Sequence, residues 1–129
     1  STDFGNMTQG RYAGGAVSNG KRLCYGGGFD YSVVSYNVIQ YLTIASTGNM
    51  SDFGDLTVSR TYLGSAAANA TIGMWMGGHD GVSSSLNTVD KVNIASTGNA
   101  TDFGDLSAAR ALCAGTGNGT RAIIMGGQA

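Results

Sequence analysis

The strongest constraint on how this chain can fold is that it repeats itself. Residues 27–56 (GGFDYSVVSYNVIQYLTIASTGNMSDFGDL) align with residues 77–106 (GGHDGVSSSLNTVDKVNIASTGNATDFGDL) at a uniform offset of 50, and sixteen of the thirty positions are identical. A period of this size marks an array of small units, none of which can bury its own apolar face and each of which stacks on its neighbours. The register extends outward. Phe4, Phe53 and Phe103 are each followed seven residues later by Arg11, Arg60 and Arg110. Asn19, Asn69 and Asn118 come next, and then a glycine pair: Gly27 and Gly28, Gly77 and Gly78, Gly126 and Gly127. About two and a half units are present, starting at the end of one and stopping in the middle of another. The expectation is a piece of a longer array, or one of several chains that complete one.

Composition points each unit to β-structure. There are 22 Gly, no Pro, 12% charged residues, and all eight acidic residues are Asp, which favours turns, with no Glu, which favours helices. After each Arg runs a small, apolar stretch (residues 12–18, 61–68 and 111–117), ending at Asn19-Gly20, Asn69-Ala70 and Asn118-Gly119. Asn-Gly between two apolar runs is a strong hairpin signal, because both central residues of the tight turn need positive φ. A second strand follows (23–25, 72–76, 122–125) and stops at the glycine pair. The third alternates, through Tyr36, Val38, Ile39 and Tyr41 in one unit and Leu86, Val89, Val92 and Ile94 in the next; the fourth is Asp-Phe-Gly-Asp-Leu. Four strands with their connections need roughly 40–46 residues, which the period accommodates. Leucine-rich and helical repeats fit worse. The division expected is the end of a preceding unit at 1–10, whole units at 11–56 and 57–106, and the first half of a further unit at 107–129.

These residues resemble the kelch repeat: an apolar strand ended by a glycine pair (Met74 to Gly78), a polar loop with Asn87 and Val89, an aromatic followed by Leu (Phe103, Leu106), and an Arg opening the next unit (Arg110). Phe4, Phe53 and Phe103 stand where most kelch repeats carry Trp. The resemblance implies an all-β, kelch-like β-propeller fragment of about two and a half four-stranded antiparallel blades. The cassette IASTGNATDFGDL (residues 94–106) followed by Ala109-Arg110 further resembles the tandem repeats of structural and tail-appendage proteins of marine bacteriophages. That likeness implies a non-enzymatic virion component, a tail fibre, spike or decoration. Its partners would be neighbouring blades, other virion subunits, and a host surface glycan or protein. Two other classes stay open: an extracellular carbohydrate-binding or galactose-oxidase-like propeller with its site in further blades, and a cellular kelch adaptor.

The individual motifs read mostly as architecture. Gly27, Gly28, Gly77, Gly78, Gly126 and Gly127 suit close backbone approach at strand ends; no Lys and Ser/Thr on a following helix makes them a phosphate loop. The Ser-Thr-Gly-Asn-x-Ser/Thr-Asp-Phe-Gly-Asp element sets two carboxylates three residues apart, acceptable to Ca²⁺, but the same residues suit Asx turns, and no cofactor is expected. Asp52 and Asp55 lie near Arg60, and Asp102 and Asp105 near Arg110, as pairs that brace units. Phe53 and Phe103 recur as expected inter-unit core, and Trp75 reads as core. Cys24 and Cys113 read as small buried apolar residues. His79, the only His, has no second His or Cys motif beside it to make a metal site or triad. The Asn-x-Ser/Thr sequons at Asn6, Asn49, Asn69, Asn99 and Asn118 read as turn chemistry.

What varies between units is the stretch after each glycine pair, Phe29, Asp30 and Tyr31 onward in one and His79 and Asp80 onward in the next. Loops carry contacts, so these are the expected partner surface. A net charge of −1 with seven scattered basic residues offers no stripe for nucleic acid. No apolar run approaches the roughly 20 residues needed to span a bilayer, so no membrane insertion is expected.

Overall fold

A computed structural model describes residues 1–129, and it is all-β with no helix. Strands β1 (Gly15–Ser18), β2 (Arg22–Gly26), β3 (Val38–Thr43) and β4 (Ser51–Asp55) form one antiparallel sheet in sequential order. Strands β5 (Gly64–Ala67), β6 (Ile72–Met76), β7 (Thr88–Asn93) and β8 (Thr101–Asp105) form a second with the same order, and β9 (Ala111–Gly117) with β10 (Ala122–Gln128) form a two-stranded third.

Local chemistry accounts for the hairpins. Asn19 Oδ1 accepts from the amides of Lys21 and Arg22 at 3.0 and 2.9 Å, and Gly20 takes φ 86°. Asn69 and Asn118 cap the equivalent turns in the same way, each accepting from two amides beyond it. At the outer strands the register shifts between Ile39 and Gln40, and between Val89 and Asp90, so Phe53 and Phe103 are the extra residues of β-bulges.

The first strand of each unit is shorter than the apolar stretch predicts in the first two sheets. Ala13, Tyr62 and Leu112, three equivalent residues, adopt φ of 58°, 53° and 59°, which turns the backbone out of the ladder ahead of β1 and β5. That turn joins the units, since Tyr62 N donates to Ala13 O at 2.7 Å and Leu112 N donates to Tyr62 O at 2.8 Å. Consecutive units therefore share a column of hydrogen bonds through the same position.

The sheets stack through their apolar faces. Val17, Cys24, Ile39, Phe53 and Leu56 from the first sheet and its exit meet Leu63, Trp75, Val92, Ile94 and Ala100. Trp75 is wholly buried and its indole N–H donates to Gly15 O at 2.9 Å. Cys24 is also wholly buried, which pushes its thiol up to about 11 against the opposing charge of Arg22. Cys113 is only partly buried, and both thiols are free. Between the second sheet and the terminal hairpin lies a smaller cluster of Ala66, Ala68, Met74, Met76 and Val89.

Candidate functional site

The loop after the first glycine pair is built on a bridge between Tyr12 and Phe29, whose backbones exchange two hydrogen bonds of 3.0 Å. The rings of Tyr12 and Phe29 pack with centroids 4.1 Å apart; Tyr31 lies 5.7 Å from Tyr12, and Tyr62 of the next unit lies 5.4 Å from Phe29. Four aromatic rings from two units thus form one cluster. Desolvation there, with Tyr62, Tyr31 and Asp30 nearby, raises the Tyr12 hydroxyl above its usual range.

Asp30 organises the loop. Its Oδ1 accepts from Ser32 N and Val34 N at 2.9 and 3.3 Å, and its Oδ2 accepts from the Tyr36 hydroxyl at 2.8 Å. The Tyr36 hydrogen bond, aided by the amides, holds the Asp30 carboxyl below its usual range and raises the Tyr36 hydroxyl. The side chains left facing solvent are Tyr31, 96% exposed, with Val33 and Val34; Val33 holds φ 61°, an unfavourable conformation for a β-branched residue.

In the second unit the loop is different in character. Asp80 Oδ1 accepts from Val82 N, Ser83 N and Ser84 N at 2.8, 2.9 and 3.1 Å, and these amides lower its carboxyl pKa, with His79 a smaller contributor. His79 Nδ1 accepts from Gly81 N at 3.0 Å. A cavity of about 300 Å³ opens between Tyr62, His79, Ser83, Ser85 and Leu112.

Two expectations are corrected. Phe29, expected in the contact loop, is only 8% exposed and serves as the floor of the aromatic cluster, while Tyr31 is its outward residue. Phe103, expected as core like Phe53, is 60% exposed against 3% for Phe53, because the two-stranded sheet beyond it has no counterpart of the third strand and loop (Val92, Ile94, Ala100) that cover Phe53.

The brace between units differs from the expectation too. Arg60 pairs with Asp90 on β7 rather than with Asp52 or Asp55: Arg60 Nη2 is 2.8 Å from Asp90 Oδ2, and Arg60 also donates to Thr88 O and Trp75 O. Arg60 O accepts from Gly28 N at 2.9 Å, so the residue grips the earlier unit through its backbone and the later one through its side chain. Arg110 O likewise accepts from Gly78 N at 2.9 Å, but its side chain donates to Gly126 O and makes no ion pair. A Cβ on Gly27, Gly28, Gly77, Gly78 or Gly127 would collide with a backbone oxygen, which accounts for the glycine pairs, while Gly126 has open space around it. No three His, Cys or Asp side chains converge as a metal would require.

Asn49 and Asn99, read as turn formers, prove to be cross-unit ties: Asn6 N donates to Asn49 Oδ1 at 2.9 Å and Asp55 N to Asn99 Oδ1 at 3.0 Å. Their recurrence at the offset of 50 was the only signal available in sequence. No protein-family model matches the chain, and no curated protein does so either.

Proposed function

We propose that this chain is a non-enzymatic structural and interaction module of a phage virion appendage, a segment of a kelch-like β-propeller that contacts a host surface glycan or protein through the loop after its first glycine pair. The observation that carries the reading is the aromatic cluster of Tyr12, Phe29, Tyr31 and Tyr62, held in place by Asp30 and open to solvent at Tyr31. Aromatic rings offer a large, rigid apolar area for sugar or protein at little cost in side-chain entropy. The rest of the molecule supports a scaffold role, since its shared backbone hydrogen bonds join unit to unit and a buried ion pair fixes Arg60 at that junction.

The blade reading is supported by the sequential four-stranded order of each sheet and by the packing of β1 on β5 and of β5 on β9, as first strands of adjacent blades would pack around an axis. The sequence resemblance supplies the virion setting.

The test is a triple variant, Tyr31→Ser, Val33→Gly and Val34→Ser, which leaves Phe29 and Asp30 in place. Retention of labelled protein on bacterial cells and on immobilised surface glycans is compared with the parent. The expected result is an unchanged thermal midpoint with retention at least tenfold weaker. Equal retention of parent and variant, or no retention of the parent on any surface, overturns the proposal.

A further inference from the structure

One structural position occurs three times in this chain and is covered only twice. At the first copy, Phe4 O accepts from Gly48 N at 2.8 Å and Asn6 O from Met50 N at 2.9 Å. At the second, Phe53 O accepts from Gly98 N and Asp55 O from Ala100 N, both at 2.8 Å. In each case the loop leading into the next unit's fourth strand runs along the outer edge, and an Asn side chain (Asn49, Asn99) takes the intervening amide. A Cβ on Gly5 would strike Gly48 O, and one on Gly54 would strike Gly98 O. The third copy is Phe103, Gly104 and Asp105 on β8. No amide from outside the sheet reaches Phe103 O or Asp105 O, and nothing lies within 4 Å of the Cβ position of Gly104.

The apolar face beside this edge is open in the same way. Met74, Val89, Phe103 and Leu106 are the second-sheet equivalents of Cys24, Ile39, Phe53 and Leu56. The earlier four lie in one core with Trp75, Val92, Ile94 and Ala100. Beside the later four, Ile124 of the hairpin stands at the Trp75 position, and a groove of about 530 Å³ remains where a third strand and its following loop would bring the other three.

We propose that this groove and the β8 edge form a docking site for the third-strand, loop and fourth-strand segment of a second copy of the same repeat. The occupant is specified by the two filled examples. It must present apolar side chains at the Val92, Ile94 and Ala100 positions, and amides at the Gly98 and Ala100 positions spaced to meet Phe103 O and Asp105 O. Recognition combines two backbone hydrogen bonds from a loop to the carbonyls of a free sheet edge with burial of apolar side chains. Neither the propeller reading nor the virion setting is needed for it.

The probe is a fluorescent synthetic peptide with the sequence of residues 87–106, titrated with the intact chain and followed by anisotropy. Expected is saturable binding, weakened at least tenfold when the peptide is N-methylated at the residues equivalent to Gly98 and Ala100, which removes both donors and leaves the side chains. A Phe103→Asp chain, altered at an exposed position, should bind the unmodified peptide at least tenfold more weakly. Absence of saturable binding overturns the proposal. Equal binding of the methylated peptide overturns it as well, since the groove would then be taking apolar chains without the two hydrogen bonds to the β8 edge.

Discussion

Arg60 Nη2 and Asp90 Oδ2 meet 2.8 Å apart, with neither side chain exposed, and Asp90 also accepts from the amide and hydroxyl of Thr57 at 3.0 and 2.6 Å. Burial lowers the Arg60 pKa and the nearby carboxylates, Asp90 and then Asp102, oppose it. Asp90→Asn keeps much of the shape and leaves the guanidinium buried without its counter-charge. Its expected cost is about 3–5 kcal/mol, seen as a lower urea midpoint. An Arg60→Met, Asp90→Leu double variant should lose less than Asp90→Asn, because it removes both charges. A double variant that loses more would mean that the pair contributes net attraction rather than mutual compensation.

One unit earlier, Arg11 occupies the Arg60 position and Gln40 the Asp90 position. Arg11 Nη1 donates to Gly27 O and Val38 O at 3.1 and 2.8 Å, while Nε and Nη2 are buried without partners, and burial lowers its pKa. Thr8 N donates to Gln40 Oε1 at 3.3 Å, as Thr57 N does to Asp90. Gln40→Asp therefore rebuilds the Asp90 arrangement around a cation already desolvated. The expected gain is about 1–3 kcal/mol in urea denaturation; a lower midpoint would show that burying the new carboxylate outweighs the ion pair.

These two units mark how far the sequence could be read. The turns at Asn19 and Asn69 were legible because their hydrogen bonds close within three residues, where sequence and space coincide. The partner of Arg60 was not, since Asp52 and Asp55 are near in the chain and Asp90 only in the fold. Phe53 and Phe103 share the surroundings Asp-Phe-Gly-Asp-Leu and differ in burial because one has a four-stranded sheet beyond it and the other only a two-stranded hairpin. Phe29 follows the same logic. Its place beneath Tyr12 and Tyr62 depends on how two units stack, which the period implied without giving the angle.

Gly26 borders the wholly buried Trp75 ring, and a Cβ there would stand 2.9 Å from Trp75 Cε2. Neither group has room to move. Gly26→Ala should cost about 1–3 kcal/mol through overpacking, with Trp75 fluorescence reporting a loosened ring already in the native state. An unchanged spectrum and midpoint would show that the two sheets can slide apart without penalty.

Gly54 and Gly104 provide a matched pair, with φ of 147° and 143° in equivalent bulges. Alanine is strained equally at both. Only at Gly54 does the new Cβ also strike the backbone of the next unit, at Gly98 O. Gly54→Ala should therefore destabilise more than Gly104→Ala by about 1–3 kcal/mol in thermal or urea unfolding. Equal losses would mean that φ strain alone governs both sites and that the outer-edge contact contributes nothing.

The second loop should respond to acid. Ser84 N, then Val82 N and Ser83 N, donate to Asp80 and hold its carboxyl below the usual range. With the folded pKa below the unfolded value of about 3.9, the loop's stabilisation is complete above that value and disappears as pH falls through the folded pKa. Protection of the Val82, Ser83 and Ser84 amides against hydrogen exchange, corrected for the intrinsic rate, should thus fall as pH drops below about 4. Asp80→Asn removes the titrating carboxyl, so its protection should be lower at neutral pH and show no further fall below about pH 4. A parallel acid-induced fall in Asp80→Asn would place the cause elsewhere in the chain, and would separate the loop's order from the carboxylate that faces its three amides.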